Sequence, residues 1–179
     1  MPVYEFEGKR PRIGATSYIH PTAVIIGDVE IGEGCWIGPN VTIRADNGWV
    51  RIAEKSNVQD NSVLHGNTTL GPYSHLGHSV VIHGATLGVG VLVAIHATVL
   101  DGAIIGDGCV IAAGAVVAPR AEVPAGKMVM GVPAAIVGDA PPRRGEGPDG
   151  TNSYLTFPFR YPKGLRELSP EEFTVRSGV

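Results

Sequence analysis

The chain has two cysteines in 179 residues, Cys35 and Cys109. That is too few for a disulfide framework. It has no run of basic residues, and its net charge is −3. Nucleic acid and anionic membrane are therefore not favoured partners. No apolar stretch is long enough to span a bilayer. The opening Met-Pro-Val-Tyr-Glu-Phe-Glu has neither the basic start nor the apolar run of a signal peptide. A cytoplasmic location is the expectation.

What the chain does contain is glycine and proline, 25 and 14 residues. That composition would point to disorder, but the hydrophobic content of 44 % is too high for it. The glycines fall into a pattern. Apolar residues recur at Ile19, Ile25, Ile31, Ile37 and Ile43, then at Ile52, Val58, Leu64, Leu70, Leu76 and Ile82. They continue at Leu87, Val93, Val99, Ile105, Ile111, Val117, Val123 and Val129. The step is six residues throughout, except for nine from Ile43 to Ile52 and five from Ile82 to Leu87. Gly or Ala often follows the apolar residue, and a small or β-branched residue such as Val29, Cys35, Ser62, Ala97 or Cys109 stands four places on.

This is a hexapeptide repeat, which reads as a single all-β domain folded as a parallel β-helix. Three short strands make one triangular coil, so eighteen residues advance the chain by one layer. Aliphatic and small positions point inward, and glycines are expected at corners where the backbone turns sharply. Cys35 and Cys109 share the inward small position four coils apart. At about 4.8 Å per layer they are roughly 19 Å apart, so they read as buried hydrophobes rather than a bridge. The two ends of such a prism need caps. The first eighteen residues, with Tyr4 and Phe6, are the expected cap at one end. The β-helix domain is read over residues 1–137 and a C-terminal loop and tail over 138–179. In that tail Gly138 to Gly150 reads as a linker or loop. Tyr154, Phe157, Phe159 and Tyr161 read as an aromatic, proline-rich segment lying back on the prism or on a neighbour. Ser169-Pro170-Glu171-Glu172 carries the start signals of a short terminal helix.

The repeat also says where the histidines point. His65 follows Leu64 and His83 follows Ile82, one full coil later, so both point outward and stack on one face. Counting back across the nine-residue step places Arg44 in the same stack. His78 lies two places after Leu76, on a different face near a corner, with Asp60 one coil beneath it. Three imidazoles with an open fourth position suit a catalytic zinc. A closed three-fold oligomer would bring His78 of one subunit to His65 and His83 of the next. Geometry alone leaves the stacked pair open between metal ligands and a plain exposed pair. His20, His75 and His96 read as solvent-facing or as ordinary subunit contacts.

Ser56-Asn57-Val58-Gln59-Asp60-Asn61-Ser62-Val63-Leu64-His65 resembles the motif of the γ-class carbonic anhydrases, a family that includes ferripyochelin-binding-like and phenylacetate-degradation-type proteins. Arg44-Ala45-Asp46, Gly77-His78-Ser79-Val80-Val81-Ile82-His83-Gly84, the opening eight residues and Val99-Leu100-Asp101-Gly102-Ala103 extend the likeness over about residues 1–137. The resemblance implies a left-handed β-helix and a homotrimer. It also implies a zinc bound by His65, His78 and His83, two ligands from one subunit and His78 from its neighbour. Iron or cobalt would suit the same imidazoles. It implies that Gln59 hydrogen-bonds the reactive water, that Asn57 and Asp60 support the site, and that Arg44 and Asp46 form an interface pair. For Arg44, Asp46 and Asp60 an intersubunit salt bridge is the simpler role.

The implied activity is zinc-dependent reversible hydration of carbon dioxide to bicarbonate by a lyase acting on a small molecule. Three departures stand against the family pattern. Arg-Ala-Asp replaces Arg-Gly-Asp. Only Gly66-Asn67-Thr68-Thr69 separates His65 from Leu70, with no acidic loop to shuttle protons. The tail is aromatic and proline-rich where relatives carry a long helix, leaving Asn152 and Tyr154 as weakly anchored candidates. The competing readings are an acyltransferase or thioesterase acting on acyl-coenzyme A, and a non-enzymatic trimeric metal-binding scaffold.

Overall fold

The computed structural model describes residues 2–142, 153–169 and 171–172. Every apolar repeat position named above is buried. The positions stack in three columns, each in register from coil to coil. One column runs Ile25, Ile43, Leu64, Ile82, Val99 and Val117. The second runs Ile31, Ile52, Leu70, Leu87, Ile105 and Val123. The third runs Ile19, Ile37, Val58, Leu76, Val93, Ile111 and Val129. Coil-to-coil pairing is parallel throughout this series, and the chain forms a left-handed β-helix of hexapeptide repeats. Short strands suffice because each two-residue strand inside the prism is paired on both sides by the coils next to it, and its alternate side chain enters a continuous apolar core.

The two irregular steps leave the columns intact. The nine-residue step lies inside the long strand Thr42–Ile52, which turns a corner without breaking. Its extra residues project outward at Asp46-Asn47-Gly48, and the register shift appears opposite Gly27 and Val29. The glycines do two jobs, not one. Corners adopt positive φ, and many are turned by other residues, among them Asn61 at 61°, Ser79 at 57° and His96 at 60°. The glycine after the apolar residue is instead required by coil stacking. A Cβ on Gly77 would sit 2.9 Å from the backbone nitrogen of Ile95 in the next coil.

Backbone pairing extends the prism at both ends. Val3–Tyr4 and Arg12–Ile13 each pair with Val24–Ile31 as an incomplete first coil. Tyr4 and Phe6 remain exposed, so the aromatic rings are not the cap. At the other end Lys127–Gly131 pairs antiparallel with Ala134–Asp139. That strand carries the ordered prism two residues into the expected linker; residues 143–150 lie outside the described residues. Cys35 and Cys109 are free and buried. Burial pushes the Cys35 thiol up to about 11.

The helix falls elsewhere than expected. It spans Ser153–Gly164 and contains Pro158 and Pro162. Ser169, Glu171 and Glu172 form a turn, in which the Glu172 amide donates to the Ser169 carbonyl at 2.9 Å. Pro170 and residues 173–179 lie outside the described residues. Packing explains the difference. Tyr154, Phe157 and Tyr161 form one helical stripe, and all three rings meet Trp36 at centroid distances of 5.3–5.6 Å. Tyr161 also meets Tyr18 at 5.1 Å. Docking on this aromatic ledge outweighs the hydrogen bonds the prolines remove. Among the described residues no helix is long and apolar enough to cross a membrane.

Candidate functional site

The strands Thr42–Ile52, Val63–His65 and Val81–His83 place Arg44, His65 and His83 in one outward ladder, paired in that order. The His65 Nδ1 and His83 Nε2 atoms face each other at 3.0 Å. The outer nitrogen of each ring meets a carboxylate: His65 Nε2 lies 3.2 Å from Asp46, and His83 Nδ1 lies 2.8 Å from Asp101. Asp46 is reached only because the nine-residue step bulges outward beside His65. Arg44 donates to its other oxygen at 2.6 Å. That bond, joined by His65 and the Asn47 amide, holds the Asp46 carboxyl down at about 2.

His78 stands apart from this pair, at the corner between two faces. Its Nδ1 lies 2.8 Å from Asp60 on the coil before. Arg44, Asp46 and Asp60 thus each have a partner within one chain. Among the described residues of one chain, no three His, Cys, Asp or Glu side chains gather as a metal site. His65 and His83 are brought together, and His78 is not.

The carboxylates decide the tautomers. An ionised carboxylate only accepts, so His65 Nε2, His83 Nδ1 and His78 Nδ1 carry the protons. In neutral rings the facing nitrogens of His65 and His83 are then both bare lone pairs, 3.0 Å apart. Two acceptors at that distance repel. An extra shared proton or a metal cation between them removes the conflict. A tetrahedral zinc with Zn–N bonds of about 2.0–2.1 Å holds its ligand nitrogens about 3.3 Å apart. Histidines braced by carboxylates on the far nitrogen are the usual surroundings of such an ion. Within one chain these two nitrogens make half of such a four-ligand set.

Gln59 and Asn57 lie on another face, in the strand Asn57–Val58 and just after it. Both point outward and both are nearly fully buried. Between them and the helix sits His75, which is also buried. Its Nδ1 meets the Asn57 amide at 3.1 Å, its Nε2 meets the Gln59 amide at 2.6 Å, and Tyr154 lies edge-on to its ring at 4.9 Å. His75 is therefore not the solvent-facing residue the sequence implied; the helix covers it. Burial pushes the Tyr154 phenol up, and the charge of Asp60 adds to this. Of the other histidines, His96 is exposed at a corner and His20 contacts Thr22. Asn152 lies outside the described residues. Sequence reasoning missed Asp101 and His75 as site residues. His75 was readable by column, one coil above Asn57; Asp101 was not, because the residue in register with His83 is Leu100 and Asp101 stands one place further on.

The fold and these outward ladders define the class as a left-handed β-helix of hexapeptide repeats. A family model described as bacterial transferase hexapeptide (six repeats) matches residues 10–45. A hexapeptide transferase family protein of Anaplasma phagocytophilum is 30 % identical, with a TM-score of 0.82 over 89 % of this chain and 98 % of that one. The product of the Bacillus cereus BC4754 gene, named provisionally as an acetyltransferase, is 27 % identical, with a TM-score of 0.75 over 89 % and 91 %. Carnitine operon protein CaiE of Escherichia coli is 38 % identical over 99 residues, 53 % of this chain. That match spans half the length of the curated relative. The chain belongs to the hexapeptide transferase family.

Proposed function

We propose that this protein is a metal-dependent enzyme of the hexapeptide family that hydrates carbon dioxide to bicarbonate at sites shared between the subunits of a trimer. One observation carries the reading: each of His65, His78 and His83 has one ring nitrogen on a different aspartate, which in the neutral ring leaves the other as a lone pair. His65 Nδ1 and His83 Nε2 would hold the metal from one subunit, and His78 Nε2 from its neighbour. Bound there, zinc supplies a Lewis acid and a water acidified towards neutral pH; iron or cobalt suits the same nitrogens. Asp46, Asp60 and Asp101 orient the rings and keep the proton on the far side. Arg44 fixes Asp46 as an anion. Gln59 offers a neutral amide to orient a small uncharged substrate. Asn67, Thr68 and Thr69 beside His65 have no acid to take up the proton released, so it passes to buffer.

Acyl transfer from coenzyme A is the second reading, and it is favoured by the family name and the Bacillus cereus neighbour. There a histidine held by an aspartate, His83 with Asp101 for example, would act as general base towards an acceptor hydroxyl or amine. Metal analysis of purified protein, stopped-flow carbon dioxide hydration with and without imidazole buffer, and release of free thiol from acetyl-coenzyme A separate the two. The expected result is about one metal per subunit and hydration that rises with imidazole concentration. Thiol release with an acceptor, together with no hydration in metal-loaded protein, overturns the first reading in favour of the second.

A further inference from the structure

We propose that His75 is a positioning residue for Gln59, and that its tautomer fixes which end of the Gln59 amide faces outward. The proposal rests on the preceding section only in giving Gln59 a part in the reaction.

Asn57 and His75 are register partners on adjacent coils, and Gln59 follows Val58 on the lower one. All three side chains point away from the core. All three are nonetheless buried, Asn57 and Gln59 at 3 % exposure and His75 at 9 %. The cover is the helix Ser153–Gly164, through Tyr154 on His75 and Tyr154 on Trp36. Buried amides and imidazoles must be paired, since a lone donor or acceptor there is costly.

The pairing has few solutions. The ring meets an amide at each nitrogen, 3.1 Å at Nδ1 and 2.6 Å at Nε2. A neutral imidazole has one N–H and one lone pair, so the two amides cannot both donate to it. Each amide is able to turn over, exchanging oxygen for nitrogen in the same outline. With the proton on Nδ1, Asn57 accepts through Oδ1 and Gln59 donates through Nε2, leaving Gln59 Oε1 outward. With the proton on Nε2, Gln59 accepts through Oε1 and its NH2 group faces outward. The longer 3.4 Å contact between Gln59 and Asn57 yields in both cases. Gln59 cannot turn alone: doing so sets donor against donor or acceptor against acceptor.

The next residue carries the consequence to the candidate metal site. Asp60 follows Gln59 and holds His78 at 2.8 Å. Two consecutive residues of one coil thus brace two histidines of the next, His75 and His78. An outward oxygen orients a water by accepting from it, whereas an outward NH2 donates to a substrate oxygen. The choice between them is made at His75.

The test uses the metal-loaded full chain. His75→Phe keeps the ring and removes both nitrogens; His75→Gln restores one donor and one acceptor. We expect His75→Phe to retain metal and oligomeric state and to lose hydration rate by the same factor as Gln59→Ala, about tenfold or more. The His75→Phe/Gln59→Ala double variant should be no slower than Gln59→Ala, because residues acting through one another do not add. His75→Gln should recover part of the rate. Multiplying losses, or an unchanged rate in His75→Phe, overturn the proposal. Wild-type protein with no hydration activity overturns the proposed reaction instead. Nitrogen-15 NMR of the His75 ring then decides this inference: one neutral tautomer that shifts in Gln59→Leu supports it, and a mixture unmoved by that change overturns it.

Discussion

His65, His78 and His83 each carry an aspartate on one ring nitrogen, and what those aspartates do depends on their charge. Asp46 is the clearest case. Its pKa lies at about 2 against an ordinary 3.8, chiefly because Arg44 donates to it. A carboxyl lowered on folding favours the native state above its unfolded value, and that contribution is lost as pH falls through the folded value. The Arg44–Asp46–His65 arrangement should therefore stay charged at Asp46 from neutral pH down to about 3. Carbon-detected NMR titration of the Asp46 carboxyl should give a midpoint near 2 in the wild type and a higher one in Arg44→Gln. A midpoint unmoved in that variant would transfer the effect to His65 and the Asn47 amide. His65, His78 and His83 were legible as a set because the repeat says which way each points. Their aspartate partners were less so: Asp60 followed from the coil count, but the five-residue step puts Leu100 in register with His83 and leaves Asp101 one place further on, so the column does not point to it.

Two elements decide what surrounds the site. The strand Thr42–Ile52 absorbs the nine-residue step and delivers Asp46 to His65. The helix Ser153–Gly164 covers Trp36 and His75 and turns an open sheet face into a buried polar cluster. The aromatic spacing at 154, 157 and 161 was a helical signal, but Pro158 and Pro162 argued locally against it. Only the ledge of Tyr18 and Trp36 makes the helix favourable, and that ledge lies far away in sequence. A chain ending at Asp139 should keep its β-helix circular dichroism, since the core columns need nothing from the helix. In a Trp49→Phe background, where Trp36 is the sole tryptophan, its fluorescence should shift to the red as the ring becomes exposed. Unshifted emission with the prism intact would mean that the helix does not cover Trp36 in solution.

At the scale of the whole molecule, the corner position of His78 makes the proposed metal site a property of the assembly rather than of one chain. His78→Ala and His83→Ala trimers should each lose metal. Mixed trimers refolded from the two should regain it at some interfaces, where one subunit brings an intact His78 and the other an intact His65/His83 face. Metal analysis of mixed trimers separated by differential tags checks this, and no recovery would rule out ligation across the interface. The sequence by itself determined the prism, its three buried columns and the outward stack of Arg44, His65 and His83. It could do so because a six-residue period fixes side-chain direction locally and every coil repeats the same choice. Tertiary structure alone decided where the helix forms, that Asn57, Gln59 and His75 are buried together, and that Asp101 braces His83. Those outcomes depend on contacts between outward side chains of different coils and on a tail that folds back over them. No repeat position specifies such contacts, because outward positions are free to vary until something packs against them.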